Sequence, residues 1–372
     1  MNYENTKMEY AVNIHDVLIK IRAGSKEIYD YTLRELDHFV IQKCEKADLF
    51  IYFQNEKYQM PETCQKVNKN VIMYQNIIAI CIKAHFRKTW ITIQNLKNGR
   101  YAVRVFLHVK KGLSSEIKRI LTLNYLYPWQ NSMIDFFHGI FLGLLQYKLF
   151  KKKTLIVHSA ALVYRNKCFV ILADAAAGKS TITDYLVNMG VGKFISEDYC
   201  MIDHNQQVQG LFNQRRVALS SAYRMDSVCV GERINDLFCK IMGICGHQGI
   251  RIRSVGELFS PENVNDCSST DYIFYLKRKK EERTCSDLCT TIRKIMRKEI
   301  RNWDGVNDWL RAENSYCKFW RQYNEILKAL AEVYQFRVWD IPFQESIDSL
   351  VLKVTDCMDK EVNQHGCTGR NH

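Results

Sequence analysis

HSAALVYRNKCFVILADAAAGKSTITDYLVNMGVGKFISED, residues 158–198, decides how the rest of the chain is read. At its centre stands Ala173-Asp174-Ala175-Ala176-Ala177-Gly178-Lys179-Ser180-Thr181. This has the form G-x-x-x-x-G-K-[ST] with alanine in place of the first glycine. Small residues let backbone N–H groups curl around phosphate oxygens, and the helix that follows aims its positive end at the same atoms. In that arrangement Ala173 to Thr181 form the nucleotide cradle, Lys179 neutralises the outer phosphates and Ser180 offers a hydroxyl to Mg²⁺. Glycine at the first position normally serves a backbone angle or a close approach that a Cβ hinders. Ala173 therefore implies either a serviceable altered loop or a weakened one.

The motif needs a strand before it and a helix after it. Cys168-Phe-Val-Ile-Leu172 is a continuous apolar run of β-formers, as a buried strand should be. Ile182, Tyr185, Leu186 and Met189 recur at helical spacing, and Gly190 is placed to end that helix. Upstream, Leu155 to Tyr164 reads as one further strand, joined to Cys168–Leu172 by the polar turn Arg165-Asn-Lys167.

Phe194-Ile-Ser196-Glu197-Asp198 reads as a short strand ending in two acids, expected to neighbour the loop strand. Carboxylates in that position either hold Mg²⁺ or accept the proton of an attacking hydroxyl. On a surface, an acidic pair is also an ordinary solvated turn.

Together these residues resemble the HPr kinase/phosphorylase group and its smaller relatives, including kinases that modify precursor peptides. The resemblance lies in His158-Ser-Ala-Ala161, in Ala173-Asp174 through Gly178-Lys179-Ser180, in Gly190 and in Glu197-Asp198. It covers about residues 155–220. The family carries two aspartates at the acidic pair, so Glu197 is a departure. The resemblance implies an α/β fold with a phosphoenolpyruvate carboxykinase/HPr kinase-like phosphate-loop domain. It also implies ATP and Mg²⁺ as cofactors and a serine-like hydroxyl on a peptide or small protein as acceptor. Carried over, Asp198 is the preferred base and Glu197 the preferred metal contact, with Asp198 able to exchange roles. His158 then steadies the acid or the phosphoryl group.

The 372 residues, 47% hydrophobic and 25% charged, suit a globular protein of two or three modest domains. A formal net charge of +13 favours an anionic partner: a nucleotide, an acidic peptide, a nucleic acid or a membrane surface. The 14 cysteines are scattered without a Cys-x-x-Cys pair, which reads as free thiols in a reducing cytoplasm and not as a zinc framework. The N-terminus lacks a secretory apolar segment. Met133–Phe150 is the one candidate membrane span, but Asp135, His138, Gln146 and Lys148 interrupt it, so it reads as a buried helix.

Along the chain, an amphipathic helix is expected around Val12–Ile28. Strands are expected at Leu49–Phe53, Ile77–Ile82, Thr89–Ile93 and Tyr101–Leu107, with a hairpin connection over Asn95–Arg100. Residues 113–150 read as two helices broken near Pro128. Further strands are expected at Gln209–Phe212, Arg215–Ser220, Thr270–Leu276 and Gln335–Trp339, and Gly246–Arg253 reads as a basic loop entering a strand. Arg215 and Arg216 are weaker candidates for phosphate contact. Lys277-Arg-Lys-Lys280 and a helix bearing Arg293, Lys294, Arg297, Lys298 and Arg301 form a basic run, read as a solvated face. No nucleic-acid module signature accompanies it, so nucleic acid is not an expected partner. The aromatics of 303–334 read as core, followed by a helix over 344–357 and a polar tail.

Four successive segments follow: a β-rich region 1–110, a helical connection 111–150, a nucleotide domain 151–280 and a helical part 281–372. The expected activity is an ATP-dependent kinase acting on a peptide or small protein, with self-association compatible. A nucleotide-binding regulator without transferase activity and a small-metabolite kinase fit the same residues.

Overall fold

The computed structural model describes residues 8–42, 45–84, 87–107, 128–174, 177–218, 250–270, 272–277, 287–302, 305–341 and 347–366. The chain is mixed α/β and divides into two compact units, Met1–Phe141 with Asn213–Val255 and Leu142–Phe212 with Gly256–His372. This division cuts across the four successive segments expected from the sequence. Residues 213–218 and 250–255 group with the N-terminal residues, and the C-terminal helices group with the loop.

The first unit is built on a nine-stranded sheet of β1 (Glu9–Ile14), β2 (Val17–Ala23), β3 (Val40–Ile41), β4 (Leu49–Gln54), β5 (Gln65–Lys66), β6 (Val71–Tyr74), β7 (Ile77–Ala84), β8 (Arg87–Asn95) and β9 (Tyr101–Phe106). Its order is β3-β1-β2-β4-β9-β8-β7-β6-β5. The strands expected over 49–107 are all present, and β8 and β9 pair antiparallel across the expected connection. The helix expected over Val12–Ile28 is instead the β1–β2 hairpin. It turns at His15 and Asp16, whose φ angles are 48° and 60°, the double left-handed geometry of a tight hairpin. Val12, Ile14, Val17, Ile19, Ile21 and Ala23 are buried at alternate positions within each strand, the period of a half-buried strand. The helix α1 (Lys26–Glu35) begins only after this hairpin, capped by the Ser25 hydroxyl accepting from the Ile28 N–H.

The predicted helix preceding Pro128 lies outside the described residues. From Pro128 onward α2 (Pro128–Asp135) continues into a π-helical segment, Phe136–Phe141, whose Phe136 and Phe137 pack against Phe53 of β4. A separate ribbon of β16 (Gln214–Ala218) and β17 (Ile250–Ser254) completes this unit and carries Arg215 and Arg216. Leu219, Ser220 and residues 246–249 lie outside the described residues.

The second unit holds two sheets. The five-stranded one runs β13-β11-β12-β19-β20, from β13 (Gly192–Ser196), β11 (Ala160–Tyr164), β12 (Lys167–Leu172), β19 (Tyr272–Lys277) and β20 (Gln335–Asp340). The other, antiparallel, runs β10-β14-β15-β18, from β10 (Thr154–His158), β14 (Tyr199–Asp203), β15 (Gln207–Gly210) and β18 (Cys267–Ser269). The single strand expected over Leu155–Tyr164 is therefore two strands in different sheets, broken at Ser159. In addition, β11 stands between β12 and β13, so the acid-bearing strand is next but one to the loop strand.

Helices cover both sheets. α3 (Leu142–Leu149) presents Gln146, whose buried amide donates to the Thr154 carbonyl and accepts from the Ile156 N–H. This explains a polar residue inside an apolar helix: it satisfies the outer edge of β10. α4 (Lys179–Asn188) follows the loop, and α5 (Leu288–Asn302), α6 (Val306–Ala312), α7 (Tyr316–Val333) and α8 (Ile347–Gly366) follow β19 and β20. α8 extends through residues expected to be a polar tail. Phe169, Phe274 and Trp339 from adjacent strands pack with Ile182 and Leu186 of α4 and with Leu350, Val354 and Met358 of α8. Trp309, Phe319 and Tyr323 are buried as expected of core aromatics. No helix among the described residues is long and apolar enough to cross a membrane.

Candidate functional site

The site is assembled where two strand pairs change sheets together. β10 leads into β11 through Ser159, and β13 leads into β14 through Glu197 and Asp198. His158 pairs with Tyr199 on one side of the change and Ala161 with Ser196 on the other. The Ser159 N–H donates to the Asp198 carbonyl at 3.1 Å, and the Ser196 hydroxyl donates to the Tyr199 carbonyl at 2.8 Å. These bonds hold His158 beside the acidic pair, although 39 or more residues separate them in sequence. Glu197 and Asp198 are both half-buried, and the Asp198 carboxylate accepts no hydrogen bond among the described residues.

The loop enters from β12. Ala173 is 1% exposed and packs into the apolar cluster formed by Leu162, Ile171 and Phe274. Its φ is not in the left-handed region, so the Cβ that replaces the usual glycine hydrogen meets no backbone conflict there. Ala177 packs into the same cluster. Ala175 and Ala176 lie outside the described residues. Gly178 takes φ +98° and opens α4. Neither a side-chain cap nor a first-turn acid satisfies the start of that helix, where Lys179, half-buried Ser180 and half-buried Thr181 stand. Uncapped N–H groups at a helix start are a ready acceptor of anions. The other end closes on Gly190, φ +69°. The Val191 N–H donates to the Leu186 carbonyl and the Gly190 N–H to the Val187 carbonyl, the paired bonds of a Schellman termination.

Lys179 is 7% exposed. Its ammonium donates to the Ala173 carbonyl at 3.2 Å and to Nε2 of His158 at 3.3 Å, and no carboxylate lies within 4.0 Å of it among the described residues. Burial pushes the ammonium below its usual range, while Asp198, then Glu299, Asp174 and Glu197, pull it back. Burial, and then the Lys179 charge, push the His158 imidazole down to about 4, with Glu299 opposing. His158 is therefore neutral at pH 7. Because Lys179 only donates, Nε2 accepts and the ring proton sits on Nδ1, which is buried with no hydrogen-bond partner among the described residues.

Sequence reading missed the contribution of α5. Its buried stripe, Leu288, Thr291, Ile292, Ile295 and Met296, continues one step further to Glu299. The Glu299 carboxylate accepts from the Tyr199 hydroxyl at 3.3 Å, and Met296 Sδ accepts from the His158 backbone N–H at 3.4 Å. On one flank of that stripe Lys294 donates to Asp174 at 3.3 Å, and Tyr275 donates to the same carboxylate oxygen at 3.3 Å. The expectation of a solvated basic face is thus corrected at Lys294. Lys277, the first residue of the basic run, is a buried strand end paired with Asp340 at 2.8 Å. The available signal was Glu299 itself, a charged residue in step with an apolar helical stripe.

No group of three or more metal-ligating side chains is gathered among the described residues. Mg²⁺ needs no such cage, since it takes one or two protein ligands and completes its shell with phosphate oxygens and water. A hydroxyl at Ser180 and a carboxylate pair at Glu197 and Asp198 fit that requirement.

No protein-family model matches the sequence. No curated protein matches it. Among solved structures, the chain is similar to the HPr(Ser) kinase/phosphatase from Coxiella burnetii, at 16% identity and a TM-score of 0.22. The alignment spans 36% of this chain and 66% of that one, just under two-thirds of its length. That similarity is too slight to define the fold.

Proposed function

We propose that this chain is a phosphate-loop kinase of the HPr kinase-like type, which takes ATP with Mg²⁺ at residues 173–181 and phosphorylates a hydroxyl on a peptide or small protein. One observation carries the reading: the Lys179 ammonium is buried at 7% exposure beside an uncapped helix start, with a carbonyl and a neutral imidazole as its contacts. A buried cation without a carboxylate partner is costly in a resting protein, and an anion arriving at the same place offsets that cost. The acceptor class follows from the resemblance of His158-Ser-Ala-Ala161 and the acidic pair to the kinase family named above.

ATP supplies the transferable phosphoryl group, and Mg²⁺ offsets its charge. Lys179 and the first N–H groups of α4 hold and orient phosphate oxygens, which is where most of the acceleration in phosphoryl transfer arises. Ser180 and Glu197 hold the metal. Asp198 takes the proton of the acceptor hydroxyl, a role suited to a half-buried carboxylate without a hydrogen-bonded partner. His158, neutral at pH 7, adds no positive charge beside Lys179 and keeps the ammonium pointed along the loop.

The test is calorimetric titration of Mg-ATP into the wild type and Lys179→Ala. Saturable binding that disappears in the variant supports the reading. Absence of binding by both proteins overturns it.

A further inference from the structure

Asp174 places a carboxylate at the entrance of a loop that must accept a highly charged anion. Its side chain is 14% exposed, and that of Lys294 is 31% exposed. Lys294 lies 3.3 Å from Asp174 Oδ2 and 3.5 Å from the Tyr275 hydroxyl, with its ammonium 5.7 Å from the centre of the Tyr275 ring. Tyr275 is itself anchored, since it is 1% exposed and paired in register with Leu172, the last residue of the loop strand. The helix that carries Lys294 is held on its other flank as well. Arg293 donates to Asn324 of α7 at 2.9 Å, while Ile292, Ile295 and Met296 are buried on the stripe between the two basic flanks. α5 therefore cannot slide without breaking a contact on either flank.

We infer that Lys294 is a positioning residue of the phosphate site, acting through Asp174: it neutralises the loop's own carboxylate and fixes the loop entrance against Tyr275. The inference rests on the phosphate-loop reading above and deepens it by assigning α5 to the same machinery. A carboxylate a few ångströms from incoming phosphates repels them, and at partial burial that repulsion is weakly screened. Lys294 removes it without contacting the phosphates.

The charge logic gives a sign that mere support of the fold does not. Lys294→Met should weaken Mg-ATP binding five- to tenfold, Lys294→Arg should retain it, and adding Asp174→Asn to Lys294→Met should recover most of the loss. Inorganic tripolyphosphate should follow the same order. Equal binding by wild type and Lys294→Met overturns the inference, as does a double variant no better than Lys294→Met. Amide hydrogen exchange over residues 177–183, measured without ligand, separates this from failure of the parent reading. If the wild type binds neither ligand, the phosphate-loop reading falls, while faster exchange in Lys294→Met still supports the positioning role and unchanged exchange overturns it.

Discussion

Nζ of Lys179 lies 3.3 Å from Nε2 of His158, so the ammonium of the loop is held by a neutral base and not by an acid. A carboxylate in that place would form an ion pair that an arriving phosphate must first break. A neutral imidazole steers the ammonium and leaves its charge uncompensated at short range. Burial pushes the ammonium below its usual range, and the surrounding carboxylates oppose that push from further away without closing it off.

That arrangement sacrifices resting stability for binding capacity, a trade common at functional sites. Lys179→Met keeps the aliphatic stem and removes the buried charge. We expect it to raise the ligand-free stability by about 1 kcal/mol while abolishing Mg-ATP binding. Chemical denaturation with and without Mg-ATP measures both effects. A variant less stable than the wild type would show that the ammonium supports the fold.

The depressed His158 imidazole predicts a pH dependence with a definite sign. Between pH 4 and 6.5 the unfolded chain binds a proton at this residue that the folded chain does not. Folding stability therefore rises with pH across that window and is lost as pH falls through it. The contribution is on the order of 2–3 kcal/mol. His158→Gln should flatten the difference in unfolding free energy between pH 6.5 and 4 relative to the wild type. Parallel wild-type and variant curves would refute the assignment.

The strand–loop–helix unit was legible because its signals are local: an apolar run, small residues, a lysine and a stopping glycine at fixed spacings. The β1–β2 hairpin was not. Ile14, Val17, Leu18 and Ile21 fall at helical spacing, which competes with the alternation of Val17, Ile19 and Ile21, and the turn uses His15 and Asp16 in place of the usual asparagine or glycine. The change of sheet at Ser159 falls in His158-Ser-Ala-Ala161, a stretch of weak β-formers with no glycine or proline to mark a break between the apolar runs on either side. Gly210 marks the matching approach of β15 to β13, since a Cβ there would overlap the Ile195 carbonyl oxygen, but the sequence does not name its partner. Lys294 and Glu299 follow the loop by more than a hundred residues, and only the packing of α5 brings them to Asp174 and Tyr199.

Asp198 and Glu299 both act on the Lys179 charge, and substitution should separate their roles. Asp198→Asn removes the proposed proton acceptor and is expected to cut transfer to an acceptor hydroxyl by two to four orders of magnitude, with Mg-ATP binding changed less than threefold. Glu299→Gln keeps an acceptor for the Tyr199 hydroxyl, so it should alter the turnover rate less than tenfold. Single-turnover transfer and equilibrium binding, measured on both variants, decide between them. Near-normal turnover in folded Asp198→Asn would move the base elsewhere.

Gly178 and Gly190 bracket α4 and offer a matched pair of substitutions. Both have positive φ, +98° and +69°, so alanine at either position costs roughly 1–2 kcal/mol of backbone strain. Only Gly178 is also crowded, because a Cβ there would come within 2.8 Å of a Leu350 methyl on α8, whereas nothing lies within 4 Å of a Cβ at Gly190. Gly190→Ala should therefore lower stability and leave Mg-ATP affinity unchanged. Gly178→Ala should lower stability by more and also weaken binding at least tenfold, since it displaces the first N–H groups of α4. Thermal unfolding and titration of the two variants side by side test this. Equal loss of affinity in both would mean that the loop tolerates a Cβ at Gly178 and that binding follows global stability alone.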